Sequence, residues 1–129
     1  MDPNLLNGTT LAYIGDSYYE HKIRIYLLTT GQTKVNTLHK MATKFTSGSS
    51  QSEIIRYLQN ESLVTLDELK IFKKGRNQSG PGRKNIDQTT YHESTGFEAL
   101  MGYLSLSNPA RADELIDLSI RYIEGAYEK

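Results

Sequence analysis

The chain has 129 residues, enough for one domain with a core of its own and too few to expect two. Its 15 basic and 15 acidic residues cancel to a formal net charge of zero, which argues against a protein that coats nucleic acid through bulk positive charge. No apolar run approaches the ~18–20 residues of a membrane span, the start Met1-Asp2-Pro3-Asn4 does not read as a secretory leader, and there is no cysteine for a disulfide or a thiolate metal site. A cytoplasmic globular protein is the expectation.

The hydrophobic pattern reads helical almost throughout. A first helix, capped by Thr9 or Thr10, is predicted to run to about Thr29 and to stop at Gly31. Its apolar residues fall on two faces, Leu11, Ile14, Tyr18 and Ile25 on one and Ala12, Tyr19, Ile23 and Tyr26 on the other, so it should be central. Tyr18, Tyr19 and Tyr26 are expected in core or dimer contacts rather than as stacking platforms for bases. A second helix should follow Asn36 or Thr37 and use Leu38, Met41 and Phe45. Ser47-Gly48-Ser49-Ser50 interrupts the pattern before a third, with Ile54, Ile55 and Leu58.

Thr65-Leu66-Asp67-Glu68 is a capping box. The helix it opens carries Leu66, Leu69 and Phe72 and should end near Gly75. Residues 75–92, GRNQSGPGRKNIDQTTYH, read as one long irregular stretch, and a polar loop of that length in a small domain is more often functional than incidental. A fifth helix is expected from near Ser94 to about Leu106. Asn108-Pro109 then caps a sixth, with proline at the first helical position and Leu115, Leu118, Ile120, Tyr122 and Ile123 as its apolar residues. No strand-like alternation and no internal repeat is seen. The expected fold is all-α, with about six main helices in one domain over residues 1–129 and flexible ends near 1–8 and 125–129.

Two carboxylates stand out against this pattern. Asp16 closes the apolar run Leu11-Ala12-Tyr13-Ile14-Gly15, and Glu98 sits inside Phe97-Glu98-Ala99-Leu100-Met101-Gly102-Tyr103-Leu104. Buried carboxylates are costly unless paired, hydrogen-bonded or bound to a metal. Glycine inside a helix costs about 1 kcal/mol against alanine, so Gly15 and Gly102 call for a reason, and close helix–helix packing is the usual one. If the two helices cross near these glycines, Asp16 and Glu98 come within reach of one cation. Oxygen ligands with no histidine or cysteine cluster suit Mg²⁺, with Mn²⁺ as a substitute. A lone helical acid is more often solvated or ion-paired; the repetition of acid and glycine in two segments favours the metal. Glu20 shares a helix face with Asp16 and is a candidate supplementary ligand, or a group that holds one. Its pairing with Lys22 or Arg24 is not expected, and simple solvation is the alternative.

Positive charge is local. Between Leu69 and Ile86 there are six basic residues and no acid. Lys73, Lys74, Arg76, Asn77, Arg83 and Lys84 are the candidates for contact with a limited number of phosphates, with Gly75, Gly80 and Gly82 allowing close approach. Gly75-x₄-Gly80 is not a P-loop, because Pro81 holds the lysine position and no strand precedes it. His21, His39 and His92 lack metal-ligand spacing, and Leu38-His39-Lys40 is the segment expected to carry a histidine near the site.

At these residues the chain resembles a known family. LAYIGDSYYE is similar to the signature helix of the ribonuclease III catalytic domain, and FEALMGY to its second acidic motif. The resemblance runs from about Leu5 to Tyr122 and includes Leu38–Lys40, Ser50–Ile54, Tyr57–Asn60, Lys73–Asn77 and, most specifically, Tyr91–Leu104. It is strongest to the Mini-ribonuclease III group, which has that domain without a double-stranded RNA-binding domain. The resemblance implies a homodimeric, Mg²⁺-dependent endoribonuclease that cuts double-stranded RNA to 5′-phosphate and 3′-hydroxyl ends. A ribosomal RNA precursor is the implied substrate, and a ribosomal protein a further partner. Asp16 would be the catalytic aspartate and Glu98 the metal-binding glutamate. Where full-length ribonuclease III carries two further acids, this chain has Ala12 and Thr95. A non-catalytic ribonuclease III-like domain that binds RNA or ribosomal particles is the alternative reading.

Overall fold

The computed structural model describes residues 1–82 and 87–127, with backbone alone for the last two. A 3₁₀ turn at Pro3–Leu5 precedes six helices: α1 (Gly8–Thr29), α2 (Val35–Thr46), α3 (Gly48–Asn60), α4 (Leu66–Gln78), α5 (Gln88–Ser107) and α6 (Pro109–Tyr127). The described residues contain no strand, and the expected all-α fold is observed.

Capping chemistry explains most boundaries. α1 is capped at Asn7, upstream of both Thr9 and Thr10, because Asn7 Oδ1 accepts from the Thr10 amide at 2.8 Å and asparagine is among the best N-caps. Just beyond its end Gly31 takes a φ of +96°, a conformation glycine adopts without the steric cost of a side chain. α2 starts at Val35 rather than after Asn36 or Thr37, and no side chain caps it. The serine-rich interruption shrinks to one residue. Ser47 closes α2 and also caps α3, accepting from the Ser50 amide at 3.2 Å. The Thr65–Glu68 box forms as expected, at 3.1 Å and 2.9 Å.

Two boundaries depart further. α4 does not end near Gly75 but continues to Gln78. Gly75 is a packing residue: a β-carbon there would collide with the Ala99 side chain and sit 3.1 Å from Gly96 Cα. α5 starts at Gln88 rather than near Ser94, because Asp87 Oδ2 accepts from the Thr90 amide at 3.0 Å. The stretch left between α4 and α5 is therefore residues 79–87, about half the length expected. Its residues 83–86, including Arg83, Lys84 and Asn85, lie outside the described residues.

α5 is the central helix, packed against α1, α3, α4 and α6. Its residues Ser94–Phe97, Ala99–Gly102 and Leu104 are buried. α1 was expected to be buried on two faces, but it buries one stripe: Leu11, Ala12, Gly15, Tyr19, Ile23 and Leu27, with Ile25 exposed. The core centres on Tyr19 and Phe97, whose rings meet edge to face at 5.0 Å, with the Tyr19 hydroxyl donating to the Phe45 carbonyl at 2.9 Å. Tyr18 and Tyr26 are half-buried and donate to Asp113 and Glu124 of α6. All three tyrosines thus hold the fold together. Arg111 of α6 clamps the start of α4, its guanidinium reaching Glu68 at 2.8 Å and 2.9 Å and the Leu63 carbonyl at 2.7 Å.

Candidate active site

The site is built where α1 crosses α5. A β-carbon on Gly15 would overlap the Glu98 carbonyl oxygen and lie 2.6 Å from the Gly102 amide nitrogen. One on Gly102 would overlap the Leu11 carbonyl and lie 3.0 Å from the Gly15 nitrogen. The glycines bring backbone against backbone, closer than any side chain would permit. Asp16 follows the first glycine by one residue and Glu98 precedes the second by four, so the same crossing sets their carboxyl groups within hydrogen-bonding reach.

The pair opens on a cleft of about 220 Å³ lined by residues that include Thr9, Tyr13, Tyr91, Ser94 and Gly80. Asp16 and Glu98 are the two acids in its wall. Asp16 is exposed, so the burial cost expected for it does not apply; Glu98 is half-buried. Burial pushes the Glu98 carboxyl up to about 9, and its hydrogen bond with Asp16 and the Asp16 charge act in the same direction. An amide hydrogen bond from Gln51 opposes these, and the more distant charge of Glu20 adds to them. A cation placed between two carboxyls this close would offset their mutual repulsion. Ala12 and Thr95 line the same cleft, so the positions that lack acids face the site itself. Among the described residues, no group of three or more histidine, cysteine or acidic side chains is arranged to hold a metal ion.

The other candidates fall in different places. Glu20 is absent from the cleft wall and pairs with Arg24 at 3.2 Å. That ion pair was not expected, yet i, i+4 is the natural helical spacing for it. Lys73 and Asn77 are exposed on α4. Arg76 is half-buried, with its guanidinium 5.5 Å from the Phe72 ring centre and its Nε donating to Asn77 Oδ1 at 3.1 Å. Lys74 donates its ammonium to the Leu6 carbonyl and thereby ties down the N-terminal segment. His39 lies away from the carboxylates, in an apolar groove with Leu27, Leu28, Val35 and Leu38. His92 Nδ1 instead contacts Ser79, a cleft residue just beyond the end of α4. Gln51 had no assigned role, although it lies in the Ser50–Ile54 segment; α3 carries its amide to Glu98.

An all-α bundle with two facing acids at a glycine-mediated helix crossing defines a paired-carboxylate protein, with the hard-oxygen donor set that suits a divalent cation. Comparison with known proteins makes the family specific. The ribonuclease III domain model matches residues 9–109. Mini-ribonuclease 3 of Acholeplasma laidlawii is 43% identical over 95% of this chain and 98% of its own length. Mini-ribonuclease 3 of Enterococcus faecalis is 44% identical over 99% and 98%, respectively. A crystal structure of a Fusobacterium nucleatum protein superposes with a TM-score of 0.79 at 26% identity, covering 91% of this chain and 93% of that one. The chain belongs to the ribonuclease III family, in its Mini-ribonuclease 3 group, and is an endoribonuclease of that type.

Proposed function

We propose that this protein cuts double-stranded RNA at the cleft between α1 and α5, with Asp16 and Glu98 as its catalytic, metal-holding pair. The observation that carries the reading is the meeting of the two carboxyls at the Gly15–Gly102 crossing, beside a cleft open to solvent. Two carboxyls set side by side at an open cleft fit a small divalent cation, and Mg²⁺ takes one or two protein carboxylates while keeping waters for the rest of its shell. Bound there, the cation would offset the charge of the scissile phosphodiester and acidify a coordinated water.

The chain's own groups prepare the substrate. Asp16 is exposed and meets an incoming phosphodiester first, while half-buried Glu98 fixes the inner side of the site. Gly80 and the hydroxyls of Thr9, Tyr13 and Ser79 offer a polar wall without further acids. Lys73, Arg76 and Asn77 on α4, together with Arg83 and Lys84, are the proposed contacts to phosphates and sugars, the features by which duplex RNA is mostly recognised, while Lys74 is engaged with the Leu6 carbonyl. The proposed setting is a cytoplasmic homodimer, each chain a single catalytic domain, acting on a structured ribosomal RNA precursor with a ribosomal protein as a further partner. Membership of the Mini-ribonuclease 3 group supports this setting. No described helix is long and apolar enough to cross a membrane.

The test is cleavage of a long RNA duplex in Mg²⁺ by the intact chain, by Asp16→Asn and by Glu98→Gln. The intact chain should cut, and each variant should lose about 10²–10³-fold or more, the equivalent of several kcal/mol of transition-state stabilisation. Duplex binding without cutting by the intact chain would leave a scaffold in place of an enzyme.

A further inference from the structure

We propose that Gln51 is a positioning residue that sets the orientation of the Glu98 carboxylate; this rests on the reading of the cleft as a cation site. Gln51 is only 3% exposed, in a part of α3 that packs against α5. Its Nε2 donates to Glu98 Oε2 at 3.5 Å and to the Thr46 carbonyl, in the last turn of α2, at 3.3 Å. An amide NH₂ has two hydrogens, and here each has one acceptor. The Thr46 bond fixes the amide against the backbone of a second helix, and the fixed amide then holds one oxygen of Glu98. Holding one oxygen of a planar carboxylate sets the direction of its remaining lone pairs.

The sequence builds this arrangement locally. Ser47 caps α3 and sets its start, so that Gln51 and Ser52 point successive side chains toward α5. Ser52 donates to Glu93 Oε1 at 2.9 Å, and Glu93 is already held by Arg56, so it belongs to a separate, satisfied ion pair. Gln51 is the α3 residue that reaches the cleft pair. A neutral donor suits that role. Lysine or arginine at this position would neutralise Glu98 and compete with a cation, whereas an amide directs the carboxylate and leaves its charge in place.

The test uses the full chain and reads metal binding apart from catalysis. Mn²⁺ affinity is measured by calorimetry without RNA, and the Mg²⁺ requirement by duplex cleavage, for the wild type, Gln51→Met and Gln51→Leu. Both variants keep a side chain of similar size but lose the amide donor. The expected result is a Mn²⁺ dissociation constant and a half-saturating Mg²⁺ concentration raised about 10–100-fold, with the KM for RNA at saturating Mg²⁺ little changed. A merely structural role would lower the melting temperature and leave both metal parameters at wild-type values. In the wild-type protein the Gln51 side-chain ¹⁵N–¹H signals should shift with Mg²⁺ at the midpoint of metal binding, a readout that does not depend on any variant folding. A wild type that neither binds Mn²⁺ nor cuts RNA would sink the reading of the cleft itself. A wild type that does both, with no metal-linked shift at Gln51 or with variants of unaltered metal affinity, overturns only the role of Gln51.

Discussion

Gly15 and Gly102 lie against each other where α1 crosses α5: a β-carbon on Gly15 would sit 2.6 Å from the Gly102 nitrogen, and one on Gly102 3.0 Å from the Gly15 nitrogen. A methyl on either would strike backbone of the opposite helix, at the Glu98 carbonyl for Gly15 and at the Leu11 carbonyl for Gly102. Backbone cannot rotate away as a side-chain tip can, so alanine at either position must push α1 and α5 apart.

Gly15→Ala and Gly102→Ala should therefore each destabilise the protein by about 3 kcal/mol or more, measured by urea unfolding. Duplex cleavage should fall further than stability alone explains, since the same crossing sets the Asp16–Glu98 spacing. Gly125 is the control: nothing lies within 4 Å of a β-carbon there, and it sits inside α6. Gly125→Ala should stabilise by about 0.5–1 kcal/mol. Equal effects at all three positions would mean that helix propensity, not the crossing, governs them.

The basic residues of α4 should separate by function. Lys73 is exposed and Arg76 is half-buried beside exposed Asn77, whereas Lys74 holds the Leu6 carbonyl. Lys73→Ala and Arg76→Ala should weaken binding to any RNA duplex and reduce the salt slope of log K by about 1 each. Lys74→Ala should instead lower the melting temperature, because it frees the N-terminal segment. Binding of all three variants measured across a salt series, beside their melts, checks this. An unaltered slope for Lys73→Ala and Arg76→Ala would place the RNA elsewhere.

Arg111 should be worth more to stability than any other surface-connected cation. Its side chain is 20% exposed and Glu68's is 10%, so the pair is largely removed from water. Arg111→Ala leaves Glu68 and the Leu63 carbonyl without their partner and should cost about 3 kcal/mol. The pH dependence follows from the same contact. Hydrogen bonding from Arg111 holds the Glu68 carboxyl below the ordinary carboxylate value of 4.5. A carboxyl lowered in the folded state contributes fully above that value, and its contribution is lost as the pH falls through the folded pKa. Glu93 behaves alike through its hydrogen bond from Arg56. Melting temperature followed from pH 7 toward pH 3 should fall in the wild type, and less steeply in Arg111→Ala. Parallel curves would show that other carboxylates carry the acid sensitivity.

Local chemistry made much of the fold legible. A capping box needs only the four residues Thr65–Glu68, and Asn108-Pro109 marks the start of α6 by itself, because the bonds they make lie within one turn of helix. Where the cue is weaker the boundary moved: Asn7 outcompetes the threonines that follow it, and Lys34 starts α2 with no side-chain cap at all. Gly75 misled for a different reason. Glycine ends many helices, and nothing near it in the chain says that Gly96 and Ala99 will lie against it.

The sequence by itself determined that the fold is helical, that Asp16 and Glu98 each adjoin a glycine suited to close packing, and that the two helices should meet there. Those properties depend on residue type and spacing along one chain. Tertiary structure decided the rest. Asp16 faces solvent while Glu98 is partly enclosed; Glu20 turns to Arg24; Lys74 closes on the N-terminal segment; and Gln51 reaches Glu98 from a third helix. Each of these depends on the angle and depth at which helices distant in sequence cross, and that is fixed by the packing of the whole core, to which every helix contributes at once.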